Sequence, residues 1–230
     1  MRNIYCLLLF FLPAFAFCQQ DSTKTTSTQQ AQPEKKPHNS IGIGIKAGLN
    51  FTNVSGTSSI SNGNETGYQV GLFLDPATKA VLGSRTELVY SHQGYNYSTG
   101  KTTGKVFLDY LMLAQLMSIN ITHFFQIQLG TQFGYLLNAK ADSSMSSSST
   151  GNATIDNALN YYNRFIFGFS GGLEVRPFMG FLVGARYNLS LTDMYKIPTS
   201  TSGEIPSYIP STNDINFKNN LLQIYVGYRF

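Results

Sequence analysis

Ile41-Gly42-Ile43-Gly44-Ile45-Lys46-Ala47-Gly48-Leu49-Asn50-Phe51-Thr52 alternates with a period of two: odd positions are apolar, even positions are glycine or polar. Successive side chains of an extended chain point to opposite faces. The stretch therefore predicts a strand with one apolar face and one small or polar face. The pattern returns at the other end of the sequence, where Leu222, Ile224, Val226, Tyr228 and Phe230 oppose Gln223, Tyr225, Gly227 and Arg229.

Similar segments fill the interval. Tyr68, Val70, Leu72 and Leu74 alternate with Gln69, Gly71, Phe73 and Asp75, and Asp75-Pro76-Ala77-Thr78 then reads as a tight turn. A third strand, from about Val81 to Tyr97, sets Leu82, Thr86, Leu88 and Tyr90 against Gly83, Arg85, Glu87 and Ser91. The fourth, at roughly 105–120, is ambiguous in its facing. Leu108, Tyr110, Met112, Ala114 and Leu116 form one apolar face, but Leu111 and Leu113 occupy the other. The fifth places Phe125, Ile127, Leu129, Thr131, Phe133 and Tyr135 against Gln126, Gln128, Gly130, Gln132 and Gly134. The sixth sets Phe165, Phe167, Phe169, Gly171, Leu173 and Val175 opposite Arg164, Gly168, Ser170, Glu174 and Arg176. The seventh sets Phe181, Val183, Ala185, Tyr187 and Leu189 opposite Gly184, Arg186, Asn188 and Ser190.

Connections after the even strands read as short: 76–79, the region of Thr122, and Pro177. Those after the odd strands read as longer, with a Ser-rich insertion at 138–160 and a Pro-containing one at 192–218. This rhythm predicts an all-β fold: an antiparallel up-and-down transmembrane β-barrel of about eight strands. Its turns would lie in the periplasm with both termini, and its longer loops would be extracellular.

The first residues read as an export signal. Arg2 precedes an apolar run from Ile4 to Phe17, and Ala16-Phe17-Cys18 offers a cleavage site, so residues 1–18 are expected to be a signal peptide. Phe17 before Cys18 disfavours a lipoprotein. Both cysteines, Cys6 and Cys18, fall in this leader, which leaves no thiol or disulfide chemistry downstream. Residues 19–40, rich in Ser, Thr and Gln, read as a flexible periplasmic linker, and 41–230 as the barrel domain. Only 12% of the sequence is charged, 13% is aromatic, and tryptophan is absent. The net charge of +4 drops to +3 without Arg2 and forms no basic stripe, so nucleic acid is excluded as a partner. No apolar run after the leader is long enough for a spanning helix, so a membrane role requires strands.

Alternation alone does not say which face points outward, and a soluble barrel of lipocalin type would share it. The polar faces decide for the membrane. They are poor in Lys and Glu, rich in Gly, Gln, Ser and Asn, and carry a few charges of both signs: Lys46, Arg85, Glu87, Arg164, Glu174, Arg176, Arg186 and Arg229. A narrow lumen can hold such a set as a paired network. The pairs Arg85 with Glu87 and Glu174 with Arg176, two residues apart on one face, predict a salt-bridged plug in a barrel only wide enough for side chains. Tyr68, Tyr90, Tyr135, Tyr161, Tyr162, Tyr187 and Tyr228 are candidate interfacial girdle residues.

These segments resemble the PorT-like outer-membrane β-barrel family over most of Ile41 to Phe230. Ile45-Lys46-Ala47-Gly48-Leu49-Asn50 is similar to the family's opening strand, and Glu87-Leu88-Val89-Tyr90-Ser91-His92-Gln93-Gly94 to its third-strand signature. Gly134-Tyr135-Leu136-Leu137, Ala185-Arg186-Tyr187-Asn188-Leu189 and Gly227-Tyr228-Arg229-Phe230 resemble later pieces, in the right order. One departure is visible: the family's fourth strand often has a proline, which Tyr110-Leu111-Met112-Leu113-Ala114 lacks. The resemblance implies fold and an outer-membrane location. It implies outer-membrane lipids as surroundings, and the barrel-assembly machinery as a partner of the closing strand ending at Tyr228 and Phe230. An envelope or secretion protein is a further expected partner, the namesake being associated with protein secretion. Members are functionally mixed, so no activity comes with it.

No catalytic, cofactor-binding or metal-ligating residue is expected, and the protein reads as non-enzymatic. Ser91 and His92 are adjacent on a strand and so face opposite ways, His123 lies near a turn, and His38 sits in the linker. Asp193, Glu204 and Asp214 lack the dense spacing of a calcium loop. The two functional expectations are a structural or accessory envelope protein and, as the alternative, a surface binding or adhesion module using loops 138–160 and 192–218.

Overall fold

The computed structural model describes residues 41–55, 63–76, 81–98, 103–143, 159, 162–178, 180–195 and 218–230. The expected leader and linker lie outside them. The strands are β1 (Ile41–Ser55), β2 (Gly63–Pro76), β3 (Leu82–Ser98), β4 (Thr103–Asn120), β5 (Phe125–Ser143), β6 (Phe165–Val175), β7 (Phe181–Ser190) and β8 (Lys218–Arg229). Each pairs antiparallel with its neighbour in sequence, and β8 pairs with β1, as at Leu49↔Ile224, to close an eight-stranded barrel. Closure gives every strand a paired neighbour on both sides, the condition for strands to cross lipid.

The alternation resolves into inside and outside as the polar faces predict. One aliphatic or aromatic side chain from every strand (Ile45, Leu72, Leu88, Leu113, Leu129, Phe169, Leu189, Val226) stands on the outer wall, between 39% and 57% exposed. Lys46, Asn50, Gln69, Gln128, Ser170, Arg186 and Asn188 are buried within. A continuous apolar belt around a polar interior is the reverse of a soluble barrel, and a belt of that extent belongs in lipid.

The connections at one end are tight. In the β4–β5 turn the Thr122 hydroxyl oxygen accepts hydrogen bonds from the backbone N–H groups of Phe124 and Phe125. In the β6–β7 turn Gly180 adopts φ +83°, and a Cβ there would strike the Arg229 carbonyl. At the opposite end two expectations are corrected. The β3–β4 connection is as short as the turns, because β3 and β4 run to 17 and 18 residues and absorb it. The expected loop at 138–160 begins later, because Asn138 to Ser143 continue β5 to 19 residues. Most of the remaining loop residues fall outside the described ones. A tilted spanning strand needs about 9–11 residues. The 11, 10 and 12 residues of β6, β7 and β8 supply little more than that. β5 leaves its pairing with β6 at Tyr135, so the wall formed by β3, β4 and β5 rises past β6 and β7 at the loop end.

The structure also decides the facing of β4. Leu108, Tyr110, Met112, Ala114 and Leu116 point into the lumen and are buried, while Leu111, Leu113 and Met117 face outward. Both faces of β4 are apolar, so its own sequence permits either choice. Its neighbours do not: Leu113 lies between Leu88 and Phe133, both outward, and Met112 between Val89 and Gly134, both inward. A slip by one residue would reverse every side chain against both partners. The register shifts between Asp109 and Tyr110, where Asp109↔Asn138 and Tyr110↔Leu136 leave Leu137 as an extra residue, a bulge in β5. A bimane fluorophore on cysteine at position 113 is expected to be strongly quenched by brominated lipid. The same probe at position 114 should be little affected, and equal quenching would refute this facing.

Candidate functional site

Alternate residues of the barrel strands meet in the half of the lumen nearest the short turns, and there they form one ionic network. Arg85 of β3 donates to both carboxylate oxygens of Glu174 on β6, at 2.5 and 2.8 Å, and to Asp75 of β2 at 3.0 Å. Glu87, also on β3, accepts from Lys46 of β1 at 2.8 Å and from both terminal nitrogens of Arg186 on β7, at 2.6 and 2.9 Å. Gln128 of β5 ties the two hubs together: its oxygen accepts from Arg186 at 2.5 Å and its nitrogen donates to Glu174 at 3.0 Å. Arg176, just past β6, reaches Glu174 at 3.0 Å and Asp75 at 2.6 Å.

Charges in so dry a setting persist only when paired and hydrogen-bonded, and fork-to-fork Arg–carboxylate pairs supply both, although the Nε groups of Arg85 and Arg186 find no partner among the described residues. Two aromatic rings complete the packing. Phe73 lies 4.6 Å from the Arg85 guanidinium, and Tyr225 lies 4.1 Å from the Lys46 ammonium and 5.3 Å from the Arg186 guanidinium. Gly44 and Gly184 leave room for these rings, since a Cβ at either would overlap Phe73 or Tyr225.

The expected plug is therefore present: Glu174 and Arg176 pair as expected, at 3.0 Å, whereas Arg85 and Glu87 find their main partners elsewhere. Arg85 and Glu87 are 3.7 Å apart, a weaker contact than either makes across the lumen, because a strand holds residues i and i+2 side by side while opposite walls face one another. Asp75, read as the start of a turn, is a full member. Arg164 is exposed and stays out of the network.

Towards the loop end the filling changes. Asn50 donates to Ser91, Gln223 to Gln69, Asn219 to Gln93, and Ser170 to Asn188, so buried amides and hydroxyls bridge the strands in a middle layer. Beyond them, on the side of the tall β3–β5 wall, lies an apolar cluster that includes Val89, Tyr95, Leu108, Tyr110, Met112, Leu136, Ile166 and Met194. Tyr162 and Tyr195, paired by an isolated bridge, cap it with their hydroxyls 2.7 and 2.5 Å from that of Tyr95. Tyr162, expected in the interfacial girdle, is instead buried within the barrel. Tyr68, Tyr90, Tyr135, Tyr187 and Tyr228 are outward, and Tyr161 lies outside the described residues.

Ser91 and His92 face opposite ways, as a strand requires. His92 has a partner that sequence reading missed: its Nδ1 is 2.6 Å from an Asp109 carboxylate oxygen on the next strand. The imidazole lies between the rings of Tyr68 and Phe107, at centroid distances of 5.0 and 5.5 Å, on the outer wall. Asp109 also accepts from Asn138 at 3.3 Å. The row Tyr68–His92–Asp109–Asn138 crosses four strands at one level, so a polar pair is sheltered by the aromatic girdle. His123 is exposed in the β4–β5 turn, while His38, Glu204 and Asp214 lie outside the described residues.

Residues 30–196 match the model of the outer membrane protein beta-barrel domain family. The chain belongs to that family. Its place is accordingly the bacterial outer membrane. Among solved structures, Ail of Yersinia pestis, described as its attachment invasion locus protein, is similar at 15% identity and TM-score 0.46, over 83% of this chain and 99% of that one. OprG of Pseudomonas aeruginosa is similar at 13% identity and TM-score 0.43, over 84% and 97%. Neisserial surface protein A is similar at 13% identity and TM-score 0.44, over 82% and 97%. No curated protein is a significant match to the chain.

Glu87 serves two cations from opposite walls, so Glu87→Ala leaves Lys46 and Arg186 buried without their counter-charge. Its expected cost is about 3–5 kcal/mol, the scale for breaking a buried pair from one side. Urea unfolding in lipid vesicles measures it, with Ser84→Ala, at an exposed site, as the near-neutral reference.

Proposed function

We propose that this outer-membrane barrel is a sealed, non-conducting and non-enzymatic component of the envelope, structural or accessory to secretion, acting through surfaces outside its lumen. The observation that carries this is the filling of the lumen: an ionic network at one end, an amide layer in the middle and a tyrosine-capped apolar cluster at the other. Eight-stranded barrels have interiors just wide enough for side chains, and here the side chains bond to one another across the space. Within the family, the ordered strand motifs from Ile45 to Phe230 favour the PorT-like branch.

The orientation that fits is the one with the short turns and both termini in the periplasm. The 19–40 linker then offers itself to a periplasmic or secretion partner, and β8, ending at Tyr228 and Phe230, to the assembly machinery. The alternative, adhesion or surface binding through loops 138–160 and 192–218, places the working surface at the other end.

Two measurements test the proposal. Purified protein in planar bilayers is expected to add no stepwise conductance, and stable openings would overturn the sealed lumen. Photo-crosslinkers placed in the linker of cells should capture a periplasmic protein, whereas capture from the loops alone would favour the alternative.

A further inference from the structure

The side chains in the turn-end half of the lumen are unbalanced in charge. Among the side chains of the described residues, Lys46, Arg85, Arg176, Arg186 and Arg229 stand there against Asp75, Glu87 and Glu174, five cationic side chains to three carboxylate side chains. The carboxylates are already committed. Asp75 holds Arg85 and Arg176, Glu87 holds Lys46 and Arg186, and Glu174 holds Arg85 and Arg176. Arg229, whose guanidinium packs into the space beside Gly42, has no carboxylate partner among the described residues. Arg176 and Arg229 are both partly exposed, so their charge is open to any anion that can reach the turn end.

The excess surfaces at one place. Arg176 and Arg229 line a cavity of about 290 Å³ between the β4–β5 and β6–β7 turns, whose wall also includes Phe124, Phe178, Phe181 and Leu182. The three phenylalanines are 60%, 64% and 49% exposed. Phe181 stands on the lipid-facing side of β7 and Leu182 on the lumenal side, so the cavity opens at the rim where wall, lumen and membrane surface meet.

We infer that this rim cavity is a binding site for an anionic phospholipid, with its phosphate on Arg229 and the free edge of Arg176 and its glycerol and upper acyl carbons against the phenylalanines. Guanidinium groups match phosphate oxygens in pairs, and an arginine already paired along one edge retains donors on the other. A headgroup bearing its own ammonium would bring a positive charge into a site that already has two to spare. The ligand is therefore a lipid with net negative charge, such as phosphatidylglycerol. The assignment depends on this cavity and its charges alone, whichever leaflet the turn end meets.

Native mass spectrometry of the membrane-purified protein released from maltoside micelles tests it, using phosphatidylglycerol and phosphatidylcholine of identical acyl chains. The wild type is expected to retain phosphatidylglycerol at least about fivefold more strongly, the scale of one arginine at an anionic surface. Arg229→Gln should erase that preference and Arg229→Lys should keep most of it, with the heat-dependent gel shift of a closed barrel confirming that both variants fold. Equal retention of the two lipids by the wild type would overturn the inference, as would a preference that survives Arg229→Gln. Displacement of phosphatidylglycerol by equimolar inorganic phosphate would also overturn it, by replacing the lipid with a free anion.

Discussion

The paired contact between Arg85 and Glu174, reinforced by Asp75 and Arg176, is the tie on which the interior depends. The backbone ladder closes the wall but says nothing about what fills it. A lumen lined by alternate residues of eight strands has no room for a separate core element, so the side chains must satisfy each other. Arg85 and Glu174 come from β3 and β6, on different sides of the barrel, and are fully buried. Glu87 with Lys46 and Arg186 adds β1 and β7. Such bonds contribute less net stability than their geometry suggests, because each ion has lost its water. Removing any one member would leave its partners buried without their counter-charge.

The upper half follows a different rule. The wall of β3, β4 and β5 continues beyond the strands opposite it, and its inner surface there is apolar. Val89, Leu108, Tyr110, Met112 and Leu136 bury one another, and Tyr162 with Tyr195 closes over them. The lumen is thus sealed by ion pairs at one end and by the hydrophobic effect at the other.

Much of this was legible along the chain and some was not, for reasons set by distance in sequence. β1 declared its faces within twelve residues, because Ile and Leu alternate cleanly with Gly, Lys and Asn. β4 did not, because Leu111 and Leu113 oppose Tyr110 and Met112 and neither face is polar. The polar-face charges were visible as candidates, but proximity along one strand suggested Arg85 with Glu87. Closure brings Glu174, 89 residues away, much nearer. His92 showed no partner along its own strand because Asp109 lies on the next one, and Tyr162 looked like a girdle residue because the Tyr195 bridge joins residues far apart in sequence.

By itself, the sequence determined that the chain forms alternating strands, that they close in the membrane, and that the polar face carries charges of both signs. Those are local properties: period-two patterning, the scarcity of exposed charge and the lack of a spanning helix all act within a few residues. Only the tertiary structure decided which charge meets which, which way β4 turns, how high each part of the wall stands, and that two arginines reach a common cavity at the rim. Each of these depends on register and closure, which bring together residues that no local pattern relates.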